Sequence, residues 1–143
     1  MKTFNYKILN IAVIIFTMLV ITTCREEVIS PRNNSGNINE PYKSSIRNSY
    51  TFILNAENLS QLVVDYPTIN YFSSRIFISV LDYSSGSFEV VLFTKSREIV
   101  YSTKLSEESS GKYASVDGVR PEIVEFKFNN FSGKLKFQLT GVL

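Results

Sequence analysis

Residues 122–140 read Glu-Ile-Val-Glu-Phe-Lys-Phe-Asn-Asn-Phe-Ser-Gly-Lys-Leu-Lys-Phe-Gln-Leu-Thr. Val124, Phe126 and Phe128 alternate with Glu125 and Lys127, and Leu135, Phe137 and Leu139 alternate with Lys134, Lys136 and Gln138. Successive side chains of a strand point to opposite faces, so each half offers one apolar face to a core and one charged face to water. Between the halves, Asn129-Asn130-Phe131-Ser132-Gly133 is turn chemistry, because Asn and Gly tolerate positive φ. The stretch predicts an antiparallel hairpin.

The same pattern extends toward the N-terminus. Tyr50, Phe52 and Leu54 alternate with smaller or polar residues, and Leu62-Val63-Val64 is a short apolar run before Asp65 and Pro67. Ile76, Ile78 and Val80 predict a strand over 75–83, which Asp82-Tyr83-Ser84-Ser85-Gly86 is expected to end in a turn. Phe88, Val90 and Leu92 lie on one face of the next strand. After the polar turn Lys95-Ser96-Arg97, Ile99, Tyr101 and Thr103 return, which predicts a hairpin of 87–94 with 98–105. The segment 106–111 reads as a polar loop, and Tyr113–Val116 as a short strand. No helical period persists over three turns after residue 24. The expected fold is all-β, a single antiparallel β-sandwich of about seven strands spanning 49–143, with a small barrel as the alternative.

Residues 25–48 contain Pro31, Gly36 and Pro41 among Asn and Ser, with sparse apolar residues. This is linker chemistry, so 24–48 is expected to tether the domain. Residues 1–23 begin with Lys2 and Lys7, followed by an apolar run from Ile11 to Ile21 broken only by Thr17. That run is short for a membrane span and suits the apolar region of an export signal.

The run ends at the only cysteine in the chain. Ile21-Thr22-Thr23-Cys24 resembles the bacterial lipobox: an aliphatic residue three before the cysteine, then two small residues. The position before the cysteine is usually Gly, Ala or Ser in that family and is Thr23 here. The resemblance implies cleavage after residue 23, acylation of Cys24 and anchoring of the exported protein to a lipid bilayer of the cell envelope. Arg25 is not the Asp that retains such proteins at an inner membrane, so the outer membrane is favoured where the cell has one. The hairpin Phe88–Leu105, with Ile99-Val100-Tyr101, loosely resembles small immunoglobulin-like domains of exported bacterial proteins; a jelly-roll arrangement fits the strand pattern equally. No functional residue carries over from that likeness.

Composition excludes several chemistries. The chain of 143 residues has no His, one Cys and a formal charge of +2. Without imidazole there is no Ser-His-Asp or Cys-His pair and no His metal ligand. A single cysteine forms neither an internal disulfide nor a thiolate zinc cage. The small charge is no footprint for nucleic acid, and both surplus charges leave with Lys2 and Lys7 if the signal is cut. A glycosidase needs two carboxylates across a cleft, but most acidic residues here fall in turns or at the polar positions of strands. Ser109-Ser110-Gly111-Lys112 has the Ser-x-x-Lys spacing of some hydrolases but no helix to carry it. No catalytic residue, metal site or cofactor is expected.

The remaining candidates are aromatic. Tyr66, Tyr71, Phe72, Tyr83, Tyr101 and Tyr113 lie near strand ends or turns, where rings can stack on sugars or anchor a protein. Tyr66, Tyr71, Tyr83 and Tyr101 are the candidate ligand contacts, and the uncharged loop Tyr66-Pro67-Thr68-Ile69-Asn70-Tyr71 is the first choice. Lys127, Lys134 and Lys136 are expected to share the outward face of the last hairpin, balanced by Glu122 and Glu125. The expected role is a non-catalytic binding or structural module engaging an envelope protein or glycan. The alternative is a periplasmic accessory subunit or inhibitor docking a larger envelope complex by a sheet edge, with a carboxylate-based glycan hydrolase a distant third.

Overall fold

A computed structural model describes residues 37–143. The signal, Cys24 and the first half of the expected tether lie outside them. Seven strands form the domain: β1 (Tyr42–Ile46), β2 (Ser49–Leu59), β3 (Leu62–Asp65), β4 (Ser73–Phe93), β5 (Ile99–Leu105), β6 (Ser109–Asp117) and β7 (Ile123–Val142). All pairings between them are antiparallel. The all-β antiparallel fold is as the periodicity predicts.

Two of the expected turns are not turns. β7 runs unbroken through Asn129–Gly133, and β4 runs unbroken through Asp82–Gly86. The two strands pair with each other along most of their length, from Ser73↔Val142 to Phe93↔Ile123, with register shifts around Ser85↔Ser132. Positive φ values at Asp82, Gly86, Asn130 and Gly133 fall where the shifts occur. Those residues therefore bend two long strands in place of reversing two short ones, as β-bulges do at sandwich corners.

Pairing partners show what the bend achieves. The first half of β7 lies between β3 and the second half of β4, which β5 flanks. The second half of β7 lies between β2 and the first half of β4, which β6 flanks; β1 extends β2. One continuous sheet is thus folded into two layers. The core between them confirms it: Phe52 of β2 stacks on Phe126 of β7 with ring centroids 4.1 Å apart, and Phe137 meets Phe126 edge-on at 5.2 Å. Every apolar residue of the alternating runs 124–128 and 135–139 is buried, as are Tyr50, Phe52, Leu54, Ile76, Ile78, Val80, Phe88, Val90 and Leu92.

The expected tether boundary shifts. Tyr42–Ile46, inside the 24–48 span, is an edge strand paired with β2 from Tyr42↔Ile53 to Ile46↔Ser49. Its residues are largely exposed, so no apolar alternation marks it. β6 likewise begins at Ser109, inside the expected polar loop.

Candidate functional site

The folded sheet has two unlike ends. At the bend, backbone and side chains are tied together. Ser60 Oγ donates to Asn130 Oδ1 at 2.8 Å and accepts from the Asn130 amide at 2.9 Å, and the Asn58 amide donates to Ser132 Oγ at 2.8 Å. At the opposite end two loops cross from one layer to the other, and we call this end the mouth. Loop 66–72 leaves β3 in one layer and enters β4 in the other, and loop 118–122 leaves β6 and enters β7 in the reverse sense. Both crossovers span this mouth.

Loop 66–72 is held firmly. Ile69 is buried in the core. The Asn48 amide donates to the Thr68 carbonyl at 2.9 Å, and Asn48 Oδ1 accepts from the Asn70 amide at 2.8 Å. Asn48 itself has φ 61°, a conformation Asn tolerates well. Loop 118–122 ends on the Glu122 amide, which donates to the Phe93 carbonyl at 2.9 Å.

Two clefts open beside these loops. One of about 460 Å³ is lined by Phe72, Thr94, Lys95, Arg120 and Glu122 among others. A second of about 280 Å³ is lined by Tyr66–Asn70 with the same Arg120 and Glu122. The Arg120 guanidinium sits over the Phe72 ring, 5.4 Å from its centroid, and Arg120 Nε lies 3.8 Å from Glu122 Oε1. Tyr66 is 67% exposed and Phe72 62%. Ile46, Ile99 and Leu143, also at strand ends on this side, are exposed too. The mouth is therefore where the domain shows apolar and aromatic side chains together with concave surface.

The structure separates the four candidate tyrosines. Tyr66 stands at the mouth, open to solvent. Tyr71 is in the same loop but packs on backbone: a Cβ at Gly141 would come within 2.9 Å of its ring. Tyr83 is at the bend, its hydroxyl donating to the Gly86 carbonyl at 2.9 Å. Tyr101 packs against the core from β5, and its hydroxyl is buried without a hydrogen bond. Burial pushes that hydroxyl's pKa up, and the neighbouring Thr103 offsets only part of the effect. These residues do not converge on one surface. Phe72 and Arg120, distant in sequence, do meet; only the strand topology brings them together.

The expected basic strip is divided by the bend. Lys134 and Lys136 face outward from the second half of β7 and Lys127 from the first, in different layers. Lys134 pairs with Asp82 at 2.6 Å, Glu125 with Arg97 at 3.3 Å, and Glu122 with Arg120, so the balancing pairs are not those expected. In the Ser-x-x-Lys segment, Lys112 Nζ donates to Thr103 Oγ1 at 2.7 Å and so turns away from a seryl partner. No group of three or more metal-ligating side chains occurs among the described residues.

No family model and no curated protein matches the chain. Among solved structures, a protein of Bacillus endospore appendages, described as disulfide-linked pili, is 11% identical over 71% of this chain and 91% of its own, with a TM-score of 0.46. A family 29 carbohydrate-binding module is 11% identical over 71% and 76%, with a TM-score of 0.38. A cupin domain of an Enterobacter cloacae transcriptional regulator is 12% identical over 66% and 80%, with a TM-score of 0.37. All are distant likenesses, and no ligand or partner passes from them to this chain.

Proposed function

We propose that this chain is a non-catalytic binding module, exported and held at the cell envelope by an acylated Cys24, that engages a glycan or protein partner at its mouth. The observation that carries the binding role is the pair of clefts sharing Arg120 and Glu122, with Tyr66 and Phe72 exposed at their rims. Glu122 is the only carboxylate lining either cleft, and the chain has no imidazole. A facing carboxylate pair is therefore missing from this surface, which supports binding over hydrolysis.

The anchor reading is supported by the lipobox-like Ile21–Cys24 alone. Its test is membrane fractionation of Cys24→Ala: release into the soluble fraction is expected, and full retention excludes acylation at Cys24 as the anchor. The binding role is tested by comparing capture of envelope glycans and proteins by the full chain and by Tyr66→Ala/Phe72→Ala. Loss of a specific partner from the double variant supports the mouth; unchanged capture removes it.

The outer edges of β5 and β6 favour a second reading, docking by strand addition. Neither edge carries a partner strand among the described residues, and Tyr113 of β6 is 78% exposed.

A further inference from the structure

We infer that the mouth selects a carboxylate-bearing saccharide, with Arg120 as the residue that reads the carboxylate; this rests on the binding role proposed above. The larger cleft is lined by two cations, Lys95 and Arg120, against one carboxylate, Glu122. The third cation of the neighbourhood, Arg97, is engaged with Glu125 on the outer face. Arg120 is poorly satisfied by its own protein. Its contact with Glu122 is 3.8 Å, beyond hydrogen-bonding range; Nε is buried without a partner, while the side chain as a whole is 40% exposed and so open to a ligand. The side chains of both residues are more than a third exposed, so the pair is weak.

Aromatic and cationic groups adjoin at Arg120. Its guanidinium carbon lies over the Phe72 ring, 5.4 Å from the centroid, a cation–π contact that favours this placement of the group. An in-plane guanidinium edge matches the two oxygens of a carboxylate, a fit that an ammonium does not reproduce. Lys95 is held at the opposite lip by a closed turn. The Thr94 amide donates to the Glu98 carbonyl at 2.9 Å, the Arg97 amide to the Thr94 carbonyl at 3.0 Å, and the Glu98 amide to Thr94 Oγ1 at 3.2 Å. Phe72 and Tyr66 supply ring faces of the kind that stack on the apolar face of a pyranose. Two cations beside aromatic rings in an open cleft suit a uronate-type sugar better than a neutral one, because a carboxylate meets the guanidinium with charge and two parallel hydrogen bonds where a hydroxyl offers one neutral acceptor.

The test is calorimetric titration of the full chain with a uronic-acid oligosaccharide, its methyl ester and a sulfated oligosaccharide of the same length. Binding of the uronate is expected, weakened about ten- to a hundredfold by methyl esterification and by Arg120→Gln, and only partly restored in Arg120→Lys. Equal binding of the ester, with Arg120→Gln unaffected, overturns the inference; if that binding is still lost in Phe72→Ala, the mouth stands as a neutral-ligand site. Equal binding of the sulfated sugar overturns carboxylate selection in favour of a general anion site. Absence of saccharide binding overturns the inference outright, and the partner capture by Tyr66→Ala/Phe72→Ala then decides the mouth separately. Matching thermal melts for all variants guard against unfolding as the cause.

Discussion

The Tyr50 hydroxyl of β2 donates a 2.9 Å hydrogen bond to Asp65 Oδ2 of β3, joining the two layers beside the mouth. Lys43 of β1 reaches the same carboxylate at 3.1 Å, and the Tyr66 amide donates to its other oxygen at 3.1 Å. One aspartate therefore ties an edge strand, the opposite layer and the first residue of the mouth loop. At the other edge, Lys112 of β6 spans to Thr103 of β5. On each open side of the folded sheet a lysine from one layer thus reaches an oxygen of the other.

The Asp65 clasp makes stability fall in acid. Burial alone would raise the Asp65 pKa, but hydrogen bonds from Tyr50 and Lys43, the Lys43 charge and the Tyr66 amide outweigh it and hold the carboxyl below its ordinary value. A folded pKa below the unfolded one contributes stability above the unfolded value, about 3.9, that is lost as pH falls through the folded value. Chemical denaturation between pH 7 and 3 should show the Asp65→Asn variant less stable than the parent at pH 7, with the gap narrowing toward pH 3. Parallel pH profiles would contradict this. The Tyr50 phenol, pushed above its ordinary range by burial and then by Asp65, remains the donor throughout.

Removing that donor has its own cost. Tyr50→Phe leaves Asp65 with two of its partners and should lower unfolding stability by about 1.5–3 kcal/mol, as for a hydrogen bond to a charged group. The ring stays packed against Phe137, 6.2 Å away between centroids, so the m-value should not change.

Glycines at the bend and at the mouth should respond differently to alanine. At Gly86, φ is +79° and a Cβ would lie 2.1 Å from the Asn130 carbonyl oxygen in the paired strand. Gly86→Ala should cost about 3 kcal/mol or more, since left-handed strain adds to a clash with backbone. Gly118 has φ +80° but open space around it, so Gly118→Ala should cost only about 1 kcal/mol. Similar melting temperatures for the two variants would argue against a tightly paired bend.

Tyr101→Phe should be neutral or stabilising. Its hydroxyl is buried and meets only the Thr103 side chain, too loosely for a well-formed hydrogen bond, so deleting it removes a desolvated polar group at little loss, a gain of up to about 1 kcal/mol. Destabilisation in urea denaturation would show that the hydroxyl has a firm partner in solution.

The legible part of this fold is its local periodicity. Alternation in 122–140 assigns the inward faces of β7 correctly, and the 87–105 hairpin pairs as expected, Phe88↔Leu105 to Phe93↔Ile99. What periodicity does not distinguish is a bend from a reversal. Asn130, Gly133, Asp82 and Gly86 supply the same left-handed backbone in either case, and only the pairing of β4 with β7 decides between them. β1 is invisible for another reason: an edge strand with little burial needs no apolar alternation. At the candidate site, the uncharged aromatic loop 66–71 draws notice in sequence. Arg120 does not, because its meaning depends on Phe72 reaching it through the crossover of two loops.

That the open mouth is the binding end is tested most directly by hydrogen exchange on the full chain, with and without saturating ligand from the capture experiment. Slowed exchange confined to 66–72, 94–98 and 118–122 is the predicted result. Protection confined to β6 and the outward face around Tyr113 and Phe77, or to the bend at 82–87 and 129–133, would contradict it.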